Sequence, residues 1–214
     1  MFDLAQRRLY LCVPHRDDMA NFLPAVLRGG VDVVQLREKE LGDEVRLAAA
    51  SLMMPICRDF DVPFIMNDSP DLALAAGADG VHVGQDDVSV ATCREILGPD
   101  AIIGLSTHSR EEFDAALAQG ATYFSAGPIV ETPTKPGRTG TGVDYTVMSS
   151  RRSERPVYVT GGVTANNVGT LVRAGLRHFV VVRALTLSGD PEATARRLRA
   201  QLEDALSAVA VEPT

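Results

Sequence analysis

Eight short apolar runs of strand character, alternating with segments of helical spacing along 214 residues, predict an α/β protein folded as a single (β/α)8 barrel, a TIM barrel, over residues 1–214. Three observations carry this prediction. The apolar runs are Leu9–Val13, Val31–Leu36, Val62–Met66, Gly80–Val83, Ile102–Leu105, Tyr123–Ala126, Val157–Val159 and Phe179–Val182. Between them, apolar residues recur at helical spacing, as in Val45, Ala48, Ala49 and Leu52, in Phe113, Ala116 and Leu117, and in Leu198, Leu202 and Leu206. Glycine then marks the return from helix to strand at Arg28-Gly29-Gly30, Ala76-Gly77, Gln119-Gly120 and Ala174-Gly175. Periodicity does not by itself separate a closed barrel from an open doubly wound sheet, but eight units in so short a chain favour closure. The segment from about residue 209 onward reads as a frayed tail.

Composition narrows the function classes. With 45% hydrophobic residues the chain is long enough to bury a sizeable core, and its net charge of −7 opposes broad nucleic-acid binding. An anionic ligand would therefore be held by local groups. Cys12, Cys57 and Cys93 are odd in number and widely spaced, which supports neither a disulfide framework nor a zinc site. The first residues lack a secretory apolar core, and no apolar stretch approaches the roughly 20 residues that span a bilayer. The expectation is a soluble cytoplasmic protein with no nucleic-acid or membrane partner, compatible with a homo-oligomer.

Taken in order, the strands end on polar clusters. At the end of the second run, Gln35, Arg37 and Lys39 fall at every second position and so share one face. Alone, that face is either a wet surface or one wall of an anion site. After the third and fourth runs stand Asn67-Asp68 and Gly84-Gln85-Asp86-Asp87. A single aspartate there reads most simply as a helix cap, whereas Asp68 and Asp87 together beside a phosphate suit Mg2+, with Asp86 facing solvent. Ser106, Thr107 and His108 follow the fifth run, either as substrate contacts or as helix-start residues. The long Gly-, Pro- and Thr-rich segment 127–142, with Lys135 and Arg138, reads either as a binding loop or lid or as a plain solvent loop. Gly161-Gly162 after the seventh run and Arg183 after the eighth lie where barrels often bind phosphate. Two anion sites, one basic and metal-binding and one glycine-lined, imply two phosphorylated reactants.

Taken together, Gln35-Leu36-Arg37-Glu38-Lys39, Asn67-Asp68, Gly84-Gln85-Asp86-Asp87, Gly104-Leu105-Ser106, Gly127-Pro128, Thr132-Pro133-Thr134-Lys135 and Gly161-Gly162 resemble the thiamine-phosphate synthase family from about Leu9 to Leu202. The resemblance implies a transferase that joins 4-amino-5-hydroxymethyl-2-methylpyrimidine diphosphate to a thiazole phosphate with Mg2+. It implies that Gln35, Leu36, Arg37, Glu38, Lys39, Asn67, Ser106 and Lys135 hold the pyrimidine diphosphate. It further implies that Asp68 and Asp87 bind Mg2+, and that Thr132, Pro133, Thr134, Gly162, Val182 and Arg183 hold the thiazole phosphate. Arg37, Lys39 and Lys135 would carry the catalysis by neutralising the leaving pyrophosphate. Two departures stand out: arginine occupies position 183, where many members have serine, and Asp144 to Pro156 leaves room for only about two helical turns. The rival readings are a thiazole tautomerase-like isomerase, which His108 favours and Asp68, Asp87 and Lys135 oppose, and a non-catalytic sensor of phosphate ligands on the same fold.

Overall fold

A computed structural model describes residues 2–132, 137 and 139–211. After a 3₁₀ turn at Leu4–Gln6 come β1 (Leu9–Val13), α1 (Met19–Arg28), β2 (Val33–Leu36), α2 (Asp43–Asp59), β3 (Phe64–Asn67) and α3 (Pro70–Ala76). Then follow β4 (Gly80–Val83), α4 (Val90–Leu97), β5 (Ile102–Thr107), α5 (Arg110–Ala116), β6 (Tyr123–Ala126) and α6 (Gly142–Arg152). The chain closes with β7 (Val157–Val159), α7 (Val168–Arg173), β8 (His178–Val181), α8 (Arg183–Thr186) and α9 (Pro191–Val211). All neighbouring strands pair in parallel, and β8 returns to β1 with Leu9 opposite Phe179, so the sheet closes into an eight-stranded barrel.

The strands are apolar on both faces because helices cover the outside and side chains fill the inside. Outward residues such as Leu11, Val34, Phe64, Val81, Ile103 and Phe124 join the helices in one large core. Inward residues Tyr10, Val33, Ile65, Ile102, Tyr123 and Tyr158 pack with Leu4 of the opening turn into a second core at the base. One step further along the strands the inward positions turn polar: Cys12 follows Tyr10, Gln35 follows Val33, Asn67 follows Ile65, and Ser125 follows Tyr123. A dry floor and a polar mouth thus come from the same two-residue period.

Just before three even-numbered strands, a side chain caps the strand behind it. Asp32 accepts from Leu9 N at 2.7 Å and Arg8 N at 2.9 Å. Asp79 accepts from Phe64 N at 2.8 Å, and Thr122 from Ile103 N at 3.0 Å. Asp32 also pairs with Arg199, which fastens α9 across the base beside the β1–β2 junction.

Several boundaries differ from the sequence reading. Val31 and Val62 belong to helix ends, because their amides bond back to Val26 O and Cys57 O behind left-handed residues Gly30 and Asp61. The buried face of α2 is Ala49, Ala50, Met53 and Cys57, while Val45 and Leu52 are exposed, so the helix is rotated from the phase the sequence suggests. The α6 helix has 11 residues, about three turns, because it starts at Gly142 and not at Asp144. The α9 helix continues through Val211, so the stretch from 209 expected to fray is helical that far. Among the described residues no helix is long and apolar enough to cross a membrane.

Candidate active site

The polar ends of the strands open into a cavity of about 600 Å³ at the carboxyl end of the barrel. Gln35, Arg37, Lys39, Asn67, Asp68, Asp87, Ser106, Thr132, Gly162, Val182 and Arg183 all line it. Residues far apart in sequence are thus brought to one place.

The segment after β2 splits by face. Gln35, Arg37 and Lys39 look into the cavity, although β2 itself ends at Leu36 and only the Arg37 amide continues the ladder, to Val13 O at 2.8 Å. Leu36 and Glu38 point the other way, which corrects their expected contact with substrate. Leu36 is buried among the helices, and the Glu38 carboxylate accepts from the amides of His15, Glu40 and Leu41 at 2.8–3.3 Å. Burial alone would raise the Glu38 carboxyl, yet these amides hold it below its ordinary value. Glu38 shapes the loop that presents its two cationic neighbours.

Lys39 Nζ lies 2.8 Å from Asp68 Oδ2. Burial raises the Asp68 carboxyl above its usual range, and the Asp87 carboxylate adds to the rise against the pull of Lys39. Asp68 also holds a left-handed backbone, φ 64°, a conformation few residues with a side chain adopt, Asp and Asn more readily than most. Neither aspartate is a helix cap. Ser69 and Ser89 cap α3 and α4, accepting from Leu72 N and Thr92 N, while Asp87 accepts from Gly84 N at 2.7 Å. Two crowded carboxylates in a cavity suit a hard divalent cation, and among the described residues no group of three or more His, Cys, Asp or Glu forms a complete cage. The donor set fits an ion that takes its other ligands from water and substrate oxygens, as Mg2+ does.

Across the mouth, Gly161 and Gly162 adopt φ of 89° and 77° and pass under Pro128–Val130. The Ile129 amide bonds to Thr160 O at 2.8 Å and the Gly142 amide to Ile129 O at 3.1 Å, so both ends of the 127–142 segment are anchored. Arg183 begins α8 and is exposed at the rim. Pro133, Thr134, Lys135 and Arg138 lie outside the described residues.

The floor carries groups that the sequence does not single out. Cys12 Sγ donates to Gln35 Oε1 at 3.1 Å, and Gln35 Nε2 donates to Tyr10 Oη at 3.1 Å. Tyr10 and Tyr123 hydroxyls meet at 2.8 Å, and Tyr123 Oη lies 2.9 Å from His82 Nδ1. His82 Nε2 is 2.8 Å from Ser106 Oγ, which is 3.2 Å from Ser125 Oγ. Burial, foremost, drives the Tyr10 and Tyr123 hydroxyls well above their ordinary pKa, so both stay protonated. The signal was the two-residue strand period, which sets Tyr123 with Ser125 and Gly104 with Ser106 on the inner face. Thr107 is buried and gives its hydroxyl to Ser125 O, and His108 is held by Glu112 through its amide and Nδ1 at 2.8 and 3.0 Å.

A closed parallel barrel with a cation–carboxylate wall and a glycine-lined wall at its mouth defines a class, the (β/α)8 barrel with a polar cavity at the carboxyl ends of its strands. Comparison with known proteins narrows it. The thiamine monophosphate synthase family pattern matches residues 9–185, and the chain belongs to that family. It is 42% identical over 209 residues to the thiamine-phosphate synthase of Mycobacterium sp. strain KMS, covering 92% of each chain. It is 39% identical over 195 residues to that of Thermosynechococcus vestitus, where it covers 91% of its own length and 56% of the relative's. The chain thus spans little more than half of the cyanobacterial relatives it matches. The thiamine phosphate pyrophosphorylase structure from Pyrococcus furiosus superposes with a TM-score of 0.85 at 27% identity, covering 94% of this chain and 97% of that one.

Proposed function

We propose that the protein is a transferase, a thiamine-phosphate synthase, that joins 4-amino-5-hydroxymethyl-2-methylpyrimidine diphosphate to a thiazole phosphate. The observation that carries this reading is the pairing of Lys39 with Asp68, beside Asp87, in one cavity with the Gly161-Gly162 turn. In the reaction the bond from the pyrimidine methylene carbon to the diphosphate oxygen breaks, and its electron pair leaves with pyrophosphate. The thiazole nitrogen lone pair then forms the new C–N bond, so no protein nucleophile and no proton removal are needed.

What the chain must supply is charge neutralisation and alignment. Arg37 and Lys39 would face the diphosphate, with Lys135 joining them from the long loop. Asp68 and Asp87 would hold Mg2+, which when bound neutralises charge on the leaving group. Gln35, Asn67 and Ser106 would seat the pyrimidine, and Thr132, Pro133, Thr134, Gly162, Val182 and Arg183 the thiazole phosphate. The two carboxylates and the cationic wall favour this reading over an isomerase or a phosphate sensor, neither of which has a pyrophosphate to neutralise. Incubating the protein with both substrates and Mg2+ should release pyrophosphate and thiamine phosphate in equal amounts. Absence of thiamine phosphate under those conditions would sink the proposal.

A further inference from the structure

We propose that Gln35, Tyr10, Tyr123 and His82 form a one-way hydrogen-bond relay that makes Ser106 a donor to the ligand, with Tyr123 and His82 as positioning residues. Its direction is set at Gln35. An amide nitrogen can only donate, so Tyr10 Oη accepts from Gln35 Nε2 and passes its single proton to Tyr123 Oη. Tyr123, having accepted, donates to His82 Nδ1. A ring nitrogen accepts only when it carries no hydrogen, so His82 is neutral, with its hydrogen on Nε2, and donates to Ser106 Oγ. Cys12 holds the Gln35 amide in this orientation by donating to Oε1.

Ser106 therefore has one proton left to give. Its protein acceptor, Ser125 Oγ, is at 3.2 Å, the longest link in the chain. A ligand acceptor entering the cavity competes best at that point, and an unprotonated ring nitrogen is such an atom. Naming the pyrimidine as the ring that supplies it rests on the transferase reading. Tyr123 does not line the cavity, so it acts only through its neighbours. The path between them is kept open by Gly104, where a Cβ would fall 2.3 Å from His82 Nδ1 and 2.4 Å from Tyr123 Oη.

Long-range 1H–15N spectra of protein labelled at histidine read the ring tautomer, with the His82 signal assigned by its loss in His82→Asn. The expected result is hydrogen on Nε2 and a bare Nδ1. Tyr123→Phe keeps the ring between Tyr10 and Tyr158 but removes the donor, so the Nε2–H preference should be lost. In that variant kcat/KM for the pyrimidine diphosphate should fall about tenfold while KM for the thiazole phosphate stays within about twofold. Hydrogen on Nδ1 in the unaltered protein means the relay runs backwards and overturns the proposal, as does an imidazolium. A Tyr123→Phe protein with unchanged tautomer or undiminished kcat/KM overturns it too. Since the spectrum needs no substrate, a protein that forms no thiamine phosphate would defeat the transferase reading while the relay is still judged by its tautomer.

Discussion

On the proposed reading, Lys39 serves the fold and the ligand at once. Its ammonium sits on Asp68, yet the side chain is half exposed, so an arriving anion can share it without a costly desolvation step. If Lys39 makes one charge-assisted hydrogen bond to the leaving group, Lys39→Ala should lower kcat/KM by about 10- to 100-fold, or roughly 1.5–3 kcal/mol. Steady-state kinetics with both substrates would check this, and undiminished kcat/KM would remove Lys39 from the reaction. At this scale the sequence was informative wherever polar residues interrupt an apolar run, as at Asn67-Asp68. It was silent on Tyr10, His82 and Tyr123, which look like ordinary members of buried strands. Their role depends on cross-barrel contacts between residues as far apart as 10 and 123. Leu36 and Glu38 enter the expected site only through the family resemblance of the Gln35–Lys39 segment, whereas the strand period sends them to the face opposite Gln35, Arg37 and Lys39.

Among the elements, the Gly161-Gly162 turn is the most exacting. A Cβ at Gly161 would sit 2.5 Å from Pro128 Cβ and 2.8 Å from Ile129 N, and φ is already 89°. Gly161→Ala should cost about 1–3 kcal/mol of stability and displace the 128–130 segment from the rim, measurable by urea unfolding. A variant as stable as the parent would show that this close approach can be relieved cheaply. Strands β1, β4, β6 and β7 coincide with their apolar runs because polar, glycine or proline residues flank them tightly. Val31 and Val62 mislead because an apolar residue that closes a helix end looks like the first residue of a strand. The phase of α2 was illegible for a related reason: Leu52 is apolar but exposed, while the small residue Ala50 fills the narrow space against the barrel. Helix facing is decided by available volume as well as by hydrophobicity.

Across the whole molecule, the base of the barrel is as specified as its mouth. The opening segment covers it, with Leu4 in the inner core, Tyr158 Oη donating to Arg7 O at 2.7 Å and His178 Nε2 donating to Ala5 O at 3.2 Å. Burial, helped by the nearby cations Arg8 and Arg177, lowers the His178 pKa from 6.5 to about 4. The folded protein therefore prefers neutral His178. Its contribution is complete above pH 6.5 and is lost as pH falls through that value toward about 4, because the unfolded chain takes up the proton first. Allowing for partial exposure, His178→Gln should flatten the stability–pH curve across this window by roughly 1–2 kcal/mol. Parallel unfolding curves for variant and parent at pH 7 and pH 4.5 would contradict this. Closure of the barrel was legible from the count of eight units, whereas the covering of its base was not, since Phe2 and Leu4 precede any regular pattern.

That covered base has a kinetic meaning. Among the described residues the barrel has the form of a flask with its neck at the mouth: below, Leu4 and the three tyrosines Tyr10, Tyr123 and Tyr158 fill the bore. A molecule that reaches Ser106 must first pass the rim at Thr132 and Arg183, and it leaves by the same route. On the transferase reading, a reactant seated deep in the cavity would be trapped behind a second one lodged at the neck, so order of loading and order of release would follow from the shape of the vessel.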